Sequence, residues 1–284
     1  MKEMKKRLIT ASAVCIGAGV IISFGALAAV GFDLSKLNTV EIVTNTYSVE
    51  NSFKKISIEE PLYDVVFVPS QDGNSRVVCA AEDNISYTVE VENDTLVIEC
   101  EDNSKWYDHI GIYTGEMGMT IYLSEKEYDF LSVKGKSSDI EIPADFCFAD
   151  IEIKNTSGGV DLQAAVKNDL NITVSSGDIN LEGIECKNIT VNCTSGEVDL
   201  LDVIASENIA IESSSGDVTL RGSDADSLQI RTTSGEVSGT LLTDKVFIVD
   251  TGSGEIDIPE SAEGGKCEVK TSSGDINMSV RPNQ

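Results

Sequence analysis

The sequence has a single histidine, His109, among its 284 residues. Histidine is the side chain most often used for acid–base catalysis and a common metal ligand, so its scarcity argues against both kinds of site. The sequence also lacks a Cys-x-x-Cys pair and a His/Cys cluster, the spacings that structural zinc sites use. We therefore predict no catalytic, cofactor-binding or metal-binding residues, and a protein that is not an enzyme.

Basic residues are scarce as well. The chain has 21 Lys and Arg against 48 Asp and Glu, a formal net charge of −27. A polyanion would be repelled by such a chain, which excludes nucleic acid as a partner. However, 41% of the residues are hydrophobic, so this is not an acidic disordered tail. The question is where the acids lie in a chain that folds.

The N-terminus has the charge pattern of a membrane anchor. Residues 1–7 carry a net charge of +3, and residues 8–30 carry no charge. As a helix the uncharged run would span about 35 Å, enough to cross a bilayer. By the positive-inside rule the basic segment is cytoplasmic. We thus expect a single-pass protein of the cell membrane with a signal anchor at 8–30, a linker at 31–52 and an extracytoplasmic remainder.

A cleaved signal peptide is the alternative for this segment. The run Ala26-Leu27-Ala28 fits an A-x-A cleavage pattern. The uncharged run is longer than the roughly 7–15 residues of a typical signal-peptide core, which favours the uncleaved anchor. Both interpretations export the rest of the chain.

Most of the exported part is a repeat of 19–20 residues with the pattern Ser-Gly-acid-aliphatic. Seven copies have their glycines at Gly158, Gly177, Gly196, Gly216, Gly235, Gly254 and Gly274. An eighth copy has Ser138 in place of glycine, and a degenerate ninth has Tyr63 there. Aliphatic residues recur two and four positions after this site and five and seven positions before it. Such alternation predicts two short strands meeting at each Ser-Gly corner.

One such unit cannot bury its apolar face alone, whereas a stack of units makes a continuous core. We therefore predict an all-β fold, a parallel β-solenoid of about nine coils, with equivalent positions aligned in columns roughly 4.8 Å apart. Residues 131–284 are its regular repeats. Residues 53–130 are its N-terminal part, with an excursion at 69–119 that contains hairpins and an irregular loop, 101–118, around Trp106, Tyr107, His109 and Tyr113. That loop is either a functional segment or a flap over the solenoid.

Two further columns follow from the repeat. The serine before each glycine should point inward, where its hydroxyl bonds to the corner; a nucleophilic serine would need an adjacent base, and none recurs. The residue after each glycine should point outward and is acidic in nearly every copy. We call this set the acidic column: Asp139, Asp178, Glu197, Asp217, Glu236, Glu255 and Asp275.

Three interpretations of the acidic column remain open. It keeps the sheet soluble and deters edge pairing, it binds Ca²⁺ or Mg²⁺, or it docks a cationic envelope component or a basic surface of another envelope protein. Stacked in chain order, its members from Asp178 to Asp275 would be unbroken. The edge of the last coil, near residues 279–284, would then be the free end of the rod, open to end-to-end association.

The cysteines are distributed over the whole chain. Cys193 and Cys267 fall in inward columns and are expected to be small buried apolar residues. Cys147 and Cys186 lie two coils apart, too far for a disulfide. Cys79 and Cys100 both lie in the excursion, and the sequence leaves their disulfide state open.

The repeated pattern Ser175-Ser176-Gly177-Asp178-Ile179, the N-terminal anchor and the opening Phe53-Lys-Lys-Ile-Ser-Ile resemble a bacterial family of β-strand-repeat domains of unknown function, labelled putative adhesin. The resemblance covers roughly residues 50–280. It implies a right-handed, single-stranded parallel β-helix and an extracytoplasmic role in adhesion or envelope-stress signalling. It brings no catalytic residues to this chain.

Three functions are weighed on this basis. A membrane-tethered rod, attached through residues 8–30 and acting in adhesion or as a scaffold, agrees with the anchor and the repeat. An accessory of an envelope-stress sensor would need a membrane partner, because only about seven residues face the cytoplasm. A polysaccharide-cleaving β-helix enzyme would need paired acids in a cleft, whereas the acids here form a uniform column. The oligomeric state stays open.

Overall fold

The computed structural model describes residues 2–29, 31–32, 42–103, 116–261 and 263–281. Helix α1, Lys2–Ala29, precedes an all-β body. Within the described part of the chain, no helix combines the length and the apolar character that a membrane crossing requires. The anchor at 8–30 therefore stays a prediction. Residues 104–115, with Trp106, Tyr107, His109 and Tyr113, lie outside the described residues.

The strands number 24 among the described residues. Those of the N-terminal part are β1 (Ile42–Val49), β2 (Lys55–Glu59), β3 (Val65–Pro69), β4 (Ser75–Glu82), β5 (Ile85–Glu92), β6 (Thr95–Asp102) and β7 (Gly118–Leu123). Those of the repeats are β8 (Glu127–Ser137), β9 (Ile140–Ile142), β10 (Cys147–Ser157), β11 (Val160–Leu162), β12 (Ala165–Val166), β13 (Asp169–Ser176), β14 (Ile179–Glu182), β15 (Glu185–Ser195), β16 (Val198–Leu201), β17 (Ile204–Ser215), β18 (Val218–Arg221), β19 (Asp224–Ser234), β20 (Val237–Leu241), β21 (Lys245–Thr251), β22 (Ile256–Asp257), β23 (Gly265–Ser273) and β24 (Ile276–Val280).

These strands form two sheets around one core. Sheet A runs in the order β1-β4-β7-β3-β9-β11-β14-β16-β18-β20-β24-β22, and sheet B in the order β21-β23-β19-β17-β15-β13-β10-β8-β2-β6-β5, with β12 beside β10. From β8 onward each unit gives one strand to each sheet across a Ser-Gly corner. The fold is thus the predicted β-solenoid, with about eight turns from β8 onward. Strands β2 and β3, on either side of Tyr63, pair with β8 and β9 as the degenerate ninth copy predicts.

The predicted columns are present in the strand register. Ile179 pairs with Val198, and Val198 pairs with Val218, each in parallel and each fully buried. The alternation of apolar and polar residues therefore puts one face of the stacked strands into the core.

The corner requires glycine. At Gly196 the backbone has φ 138°, a conformation that residues with a side chain rarely adopt. A Cβ atom there would lie 2.1 Å from the carbonyl oxygen of Gly177 in the neighbouring coil. The glycine column thus lets the coils stack at the corner without a clash.

The N-terminal part differs from the sequence-based prediction in its pairing. The segment at 31–52, predicted to be a linker, contains β1, which pairs antiparallel with β4. The hairpin β5–β6 is confirmed, with its turn at Asn93 and Asp94, both of positive φ. The rest of the excursion extends the stack, because β6 lies parallel to β2 and β7 lies parallel to β3. The excursion at 69–119 is thus the cap of the solenoid.

The last two coils do not stack in chain order. Strand β23 lies between β19 and β21, and β24 lies between β20 and β22. The final coil, β23 with β24, is therefore inserted between the two coils that precede it. The expectation that the last coil of the chain is the end of the rod is therefore wrong, since Ile276 and Asn277 of β24 pair with both β20 and β22.

A buried ion pair spans this insertion. Lys245 Nζ lies 2.5 Å from Asp224 Oδ1, and both residues are buried. Asp224 Oδ2 also accepts hydrogen bonds from the backbone N–H of Leu242 and from the N–H and hydroxyl of Thr243. The inserted coil crosses here at Gly265, where a Cβ atom would lie 2.3 Å from the Asp226 carbonyl oxygen. The glycine leaves room for the ion pair to form beside it.

Candidate functional site

The acidic column does more than keep the corner hydrated. The Asp178 Oδ1 atom accepts a hydrogen bond of 2.8 Å from the backbone N–H of Glu197, the next member of the column. The same bond joins Asp217 to the N–H of Glu236 and Asp275 to the N–H of Glu255, each at 2.8 Å. Aspartate thus ties one coil to its neighbour, while the glutamates between them project from the corner.

The insertion of the last coil changes the order of this column. Asp275 lies between Glu236 and Glu255, because Ile276 pairs with both Val237 and Ile256. The exposed carboxylates remain aligned along the rod. In the part of the chain that the structure describes, no group of three or more His, Cys, Asp or Glu residues is arranged to hold a metal ion. The aspartates of the acidic column therefore have a structural role, because they accept hydrogen bonds from the next coil. Its glutamates contribute negative charge to the surface.

The serines before the glycines are not inward-facing. Ser176, Ser195, Ser215, Ser234 and Ser273 are all exposed, whereas the residue two positions earlier in each repeat is buried. The chain turns at this point, which breaks the strict alternation that the prediction extended to the corner. Where two coils bring such serines together, as at Ser253 and Ser273, the hydroxyls lie 3.3 Å apart.

A polar groove runs along sheet B beside this corner. Its volume is about 600 Å³, and it crosses several coils. Hydroxyl groups line one side of it, from Ser175, Thr194, Ser214, Thr233 and Ser272. The other side carries Thr173, Asn192, Glu212, Arg231, Lys270 and Asp250, in the order of the coils. These groups can donate and accept hydrogen bonds to an extended polar chain. The groove is not among the predicted features, although the Ser or Thr that recurs before each Ser-Gly corner is its signal in the sequence.

The insertion also places two cations side by side in this groove. Arg231 and Lys270 are direct partners across β19 and β23, whereas chain order would separate them by a coil. Glu268 lies beside them and accepts from Arg231 at 3.2 Å, from Lys270 at 2.7 Å and from Lys266 at 2.7 Å. Hydrogen bonds from Lys266 and Lys270 lower the pKa of Glu268 to about 2. The groove therefore combines balanced charges with hydroxyl groups.

The six cysteines of the solenoid whose side chains the structure describes are free thiols. Cys79, Cys100, Cys186, Cys193 and Cys267 are buried, and Cys147 is half-buried. Burial raises the pKa of Cys79, Cys186 and Cys267 to about 12. These thiols stay protonated at neutral pH, so they are poor nucleophiles.

Comparison with known proteins agrees with this architecture. A structure from Parabacteroides distasonis described as a putative lipid binding protein has a TM-score of 0.55 and 20% identity, over 85% of this chain and 98% of that chain. A putative adhesin from the same organism has a TM-score of 0.51 and 14% identity, over 84% and 98% of the two chains. At these identities the likeness concerns the fold. No curated protein matches the sequence.

The family model described as Toastrack DUF4097 matches residues 53–208 and 201–284, which together include the N-terminal cap and every repeat. The expected kinship with a β-repeat family of unknown function is thereby confirmed. This chain belongs to the Toastrack DUF4097 family.

Proposed function

We propose that this protein is a non-catalytic, membrane-tethered extracytoplasmic rod that acts in adhesion or as a scaffold at the cell surface. The observation that carries the proposal is the solenoid itself. One continuous core stiffens the molecule, and its outer surface repeats the same polar groups from coil to coil. Such a surface suits an extended partner better than a small substrate.

The distribution of the acids supports a binding role over catalysis. Asp178, Asp217 and Asp275 each accept a backbone N–H from the adjacent coil, so they are spaced along the rod. Hydrolysis of a polysaccharide needs two carboxyl groups that converge on one bond. The aspartates of the acidic column instead bond to the backbone of the next coil and stabilise the stack.

The N-terminal segment supports tethering. The basic residues 1–7 precede the uncharged run 8–30. In α1 the apolar side chains of Ile16, Ile21, Ile22 and Phe24 are exposed. A bilayer would cover these side chains, and the cytoplasmic N-terminus would leave the solenoid outside.

The family resemblance supports an envelope role. A fold relative from Parabacteroides distasonis is described as a putative adhesin, and another as a putative lipid binding protein. Adhesion agrees best with the rod and the groove of this chain.

Labelling of intact cells tests the proposal. In cells that produce the full chain, a membrane-impermeant amine reagent should label lysines of the solenoid, such as Lys187, and the protein should sediment with membranes. A variant with Ile16→Arg and Ile21→Arg should leave the membrane fraction, because charge at the centre of a membrane helix is costly. Labelled full chain should also bind isolated envelope fragments. A solenoid that is labelled only after cell lysis would refute the proposal.

A further inference from the structure

The end of the solenoid farthest from the N-terminal cap is formed by β21 and β22. Strand β21 pairs with β23 on one side, and among the described strands no other pairs with it. Strand β22 likewise pairs only with β24 among them. We call the coil of β21 and β22 the tip. Its outer edge presents backbone N–H and C=O groups that are free to pair with another strand.

The tip is apolar. Ile256 belongs to a column that is otherwise buried, yet 46% of its surface is exposed, whereas its neighbour Ile276 is fully buried. Phe247 and Val249 face the core and are only half-buried. On the outer face of β21, Val246 is 38% exposed and Ile248 is 46% exposed. Terminal coils of solenoids normally carry a polar outer face that keeps them soluble, whereas this one also exposes Val246, Ile248 and Ile256.

The opposite end of the rod is protected. Its outermost strands are β1 in sheet A and β5 in sheet B. Strand β1 presents Thr44, Asn45 and Thr46, and β5 presents Glu90 and Glu92 among its apolar residues. Charged and polar edge strands deter pairing with other chains. In contrast, β21 has four consecutive apolar residues, Val246–Val249, on an open edge.

We propose that the tips of two copies of this chain pair with each other, β21 against β21, antiparallel about a two-fold axis. Identical edges can meet only in this symmetric way if the contact is to close. A head-to-tail contact would instead set the apolar edge of β21 against the polar edge of β1 or β5. The tip of a second copy matches this tip best, because its inward-facing columns of apolar residues lie at the same places in the cross-section of the rod.

The side chains of β21 are compatible with this pairing. Core-facing residues must oppose core-facing residues, since directly opposed side chains in an antiparallel pair lie on one face. A pair centred on Ile248 satisfies this requirement. It sets Phe247 opposite Val249 of the second copy, an aromatic against a β-branched side chain, and Val246 opposite Asp250. No two like charges of β21 are opposed in this register, and the core columns continue from one molecule into the other.

If the protein acts in adhesion as proposed above, its partner at the tip is a second copy of this chain. This inference therefore rests on the proposed function. The predicted tether lies at the opposite end of the chain from the tip. Two copies joined tip to tip would therefore connect the two surfaces that carry them.

Sedimentation of the full chain, in one detergent for all variants, tests the pairing. We expect a concentration-dependent dimer. Ile248→Lys should weaken dimerisation by about tenfold or more, because it puts a charge into an apolar contact. The matched control is Ile204→Lys, since Ile204 is 39% exposed but lies on β17, in the middle of the rod. That variant should dimerise as the unmodified chain does. At concentrations where all three chains are monomeric, both variants should keep the melting temperature of the unmodified chain.

A cysteine at the symmetry centre tests the register. In the proposed pair, Ile248→Cys should form a disulfide-linked dimer on mild oxidation, because opposed Cβ atoms lie about 5 Å apart. Asp250→Cys, which is not opposed to itself, should cross-link far less.

A monomeric full chain, or a dimer that Ile248→Lys does not weaken, would overturn the pairing. Surface labelling and binding to envelope fragments do not require the dimer, so a monomer that passes those assays leaves the proposed function in place. A dimer that fails them refutes the function alone.

Discussion

At the scale of single residues, the corner of each coil depends on a few side chains with distinct tasks. Glycine permits close stacking, since a Cβ atom at Gly196 would meet the Gly177 carbonyl. Aspartate then closes the corner by accepting a backbone N–H from the next coil. A glutamate such as Glu197 accepts no such bond from the described residues. The acidic column is thus made of two functional kinds of residue.

Removal of one corner aspartate should destabilise the protein. Asp178→Ala deletes the acceptor of the Glu197 N–H, so we expect a loss of about 1 kcal/mol in the free energy of unfolding. Asp178→Asn keeps an acceptor oxygen and should lose less. The control Glu197→Ala, at the next position of the column, should change stability by less than about 0.5 kcal/mol. Urea unfolding measures all three, and equal losses at Asp178 and Glu197 would contradict the distinction.

Glu268 should make stability depend on pH. Its pKa is lowered from 4.5 to about 2 by hydrogen bonds from Lys266 and Lys270. A lowered pKa means that the stabilisation is present above pH 4.5 and is lost as the pH falls towards 2. The difference in unfolding free energy between the unmodified chain and Glu268→Gln should therefore shrink across that window. Urea unfolding at several pH values measures it, and a constant difference would refute the effect.

At the scale of the elements, the positions of strands could be predicted from the sequence, whereas their long-range pairing could not. The alternating strands of the excursion at 69–119, where the sequence predicts hairpins, are present as β4, β5 and β6. Their alternation is a local property of the sequence and could be read directly. The hairpin of β5 and β6 could be predicted in the same way, whereas the pairing of β6 with β2, far away in the chain, could not.

The ion pair of Asp224 and Lys245 should hold the inserted coil in place. Lys245→Met leaves the buried Asp224 carboxylate without its cation, so we expect a loss of about 3–5 kcal/mol in unfolding free energy. The control Lys167→Met removes an exposed pair with Glu127 and should cost at most about 1 kcal/mol.

The double variant Asp224→Asn with Lys245→Met distinguishes the cost of an unpaired buried carboxylate from the loss of the other contacts of Lys245. It leaves no buried charge, so it should lose less than Lys245→Met alone. A loss below about 1 kcal/mol for Lys245→Met would show that the pair does not stabilise the insertion.

At the scale of the whole molecule, the order of the coils determines which residues are protected. Cys267 belongs to the last coil of the chain, yet it lies between Leu228 and Phe247 and is fully buried. In a solenoid stacked in chain order it would lie in the terminal coil, where fraying is easiest.

Alkylation of the native protein tests this order. We expect Cys267 to react as slowly as Cys193 in the middle of the rod, because both are covered on two sides. The half-buried Cys147 should react faster and serves as the reference. Mass spectrometry of peptides after timed alkylation measures the rates. Labelling of Cys267 at the rate of Cys147 would contradict the insertion.

The charge of the whole molecule is arranged in the same way as its apolar residues. Among the described residues of the solenoid most charged side chains lie on outward positions and the inward columns are mainly aliphatic, with the buried pair of Asp224 and Lys245 as an exception. An exposed acidic column costs little, because water and salt screen the repulsion between neighbouring carboxylates. The polar groove, with balanced charges, and the tip, with exposed apolar side chains, differ from this acidic surface. The order in which the coils stack determines where both lie.

The sequence by itself determined the solenoid, its period, its core columns and its glycine corners, because each follows from residues a few positions apart. It also placed the acidic column outside. Only the tertiary structure decided which coils are neighbours. Every coil offers the same columns, so strand pairing alone hardly distinguishes one order from another. The choice depends on contacts between distant residues, such as Asp224 with Lys245, and Met278 beside the space left by Gly239. These contacts insert the last coil, bring Arg231 next to Lys270 and leave β21 as the open edge of the rod.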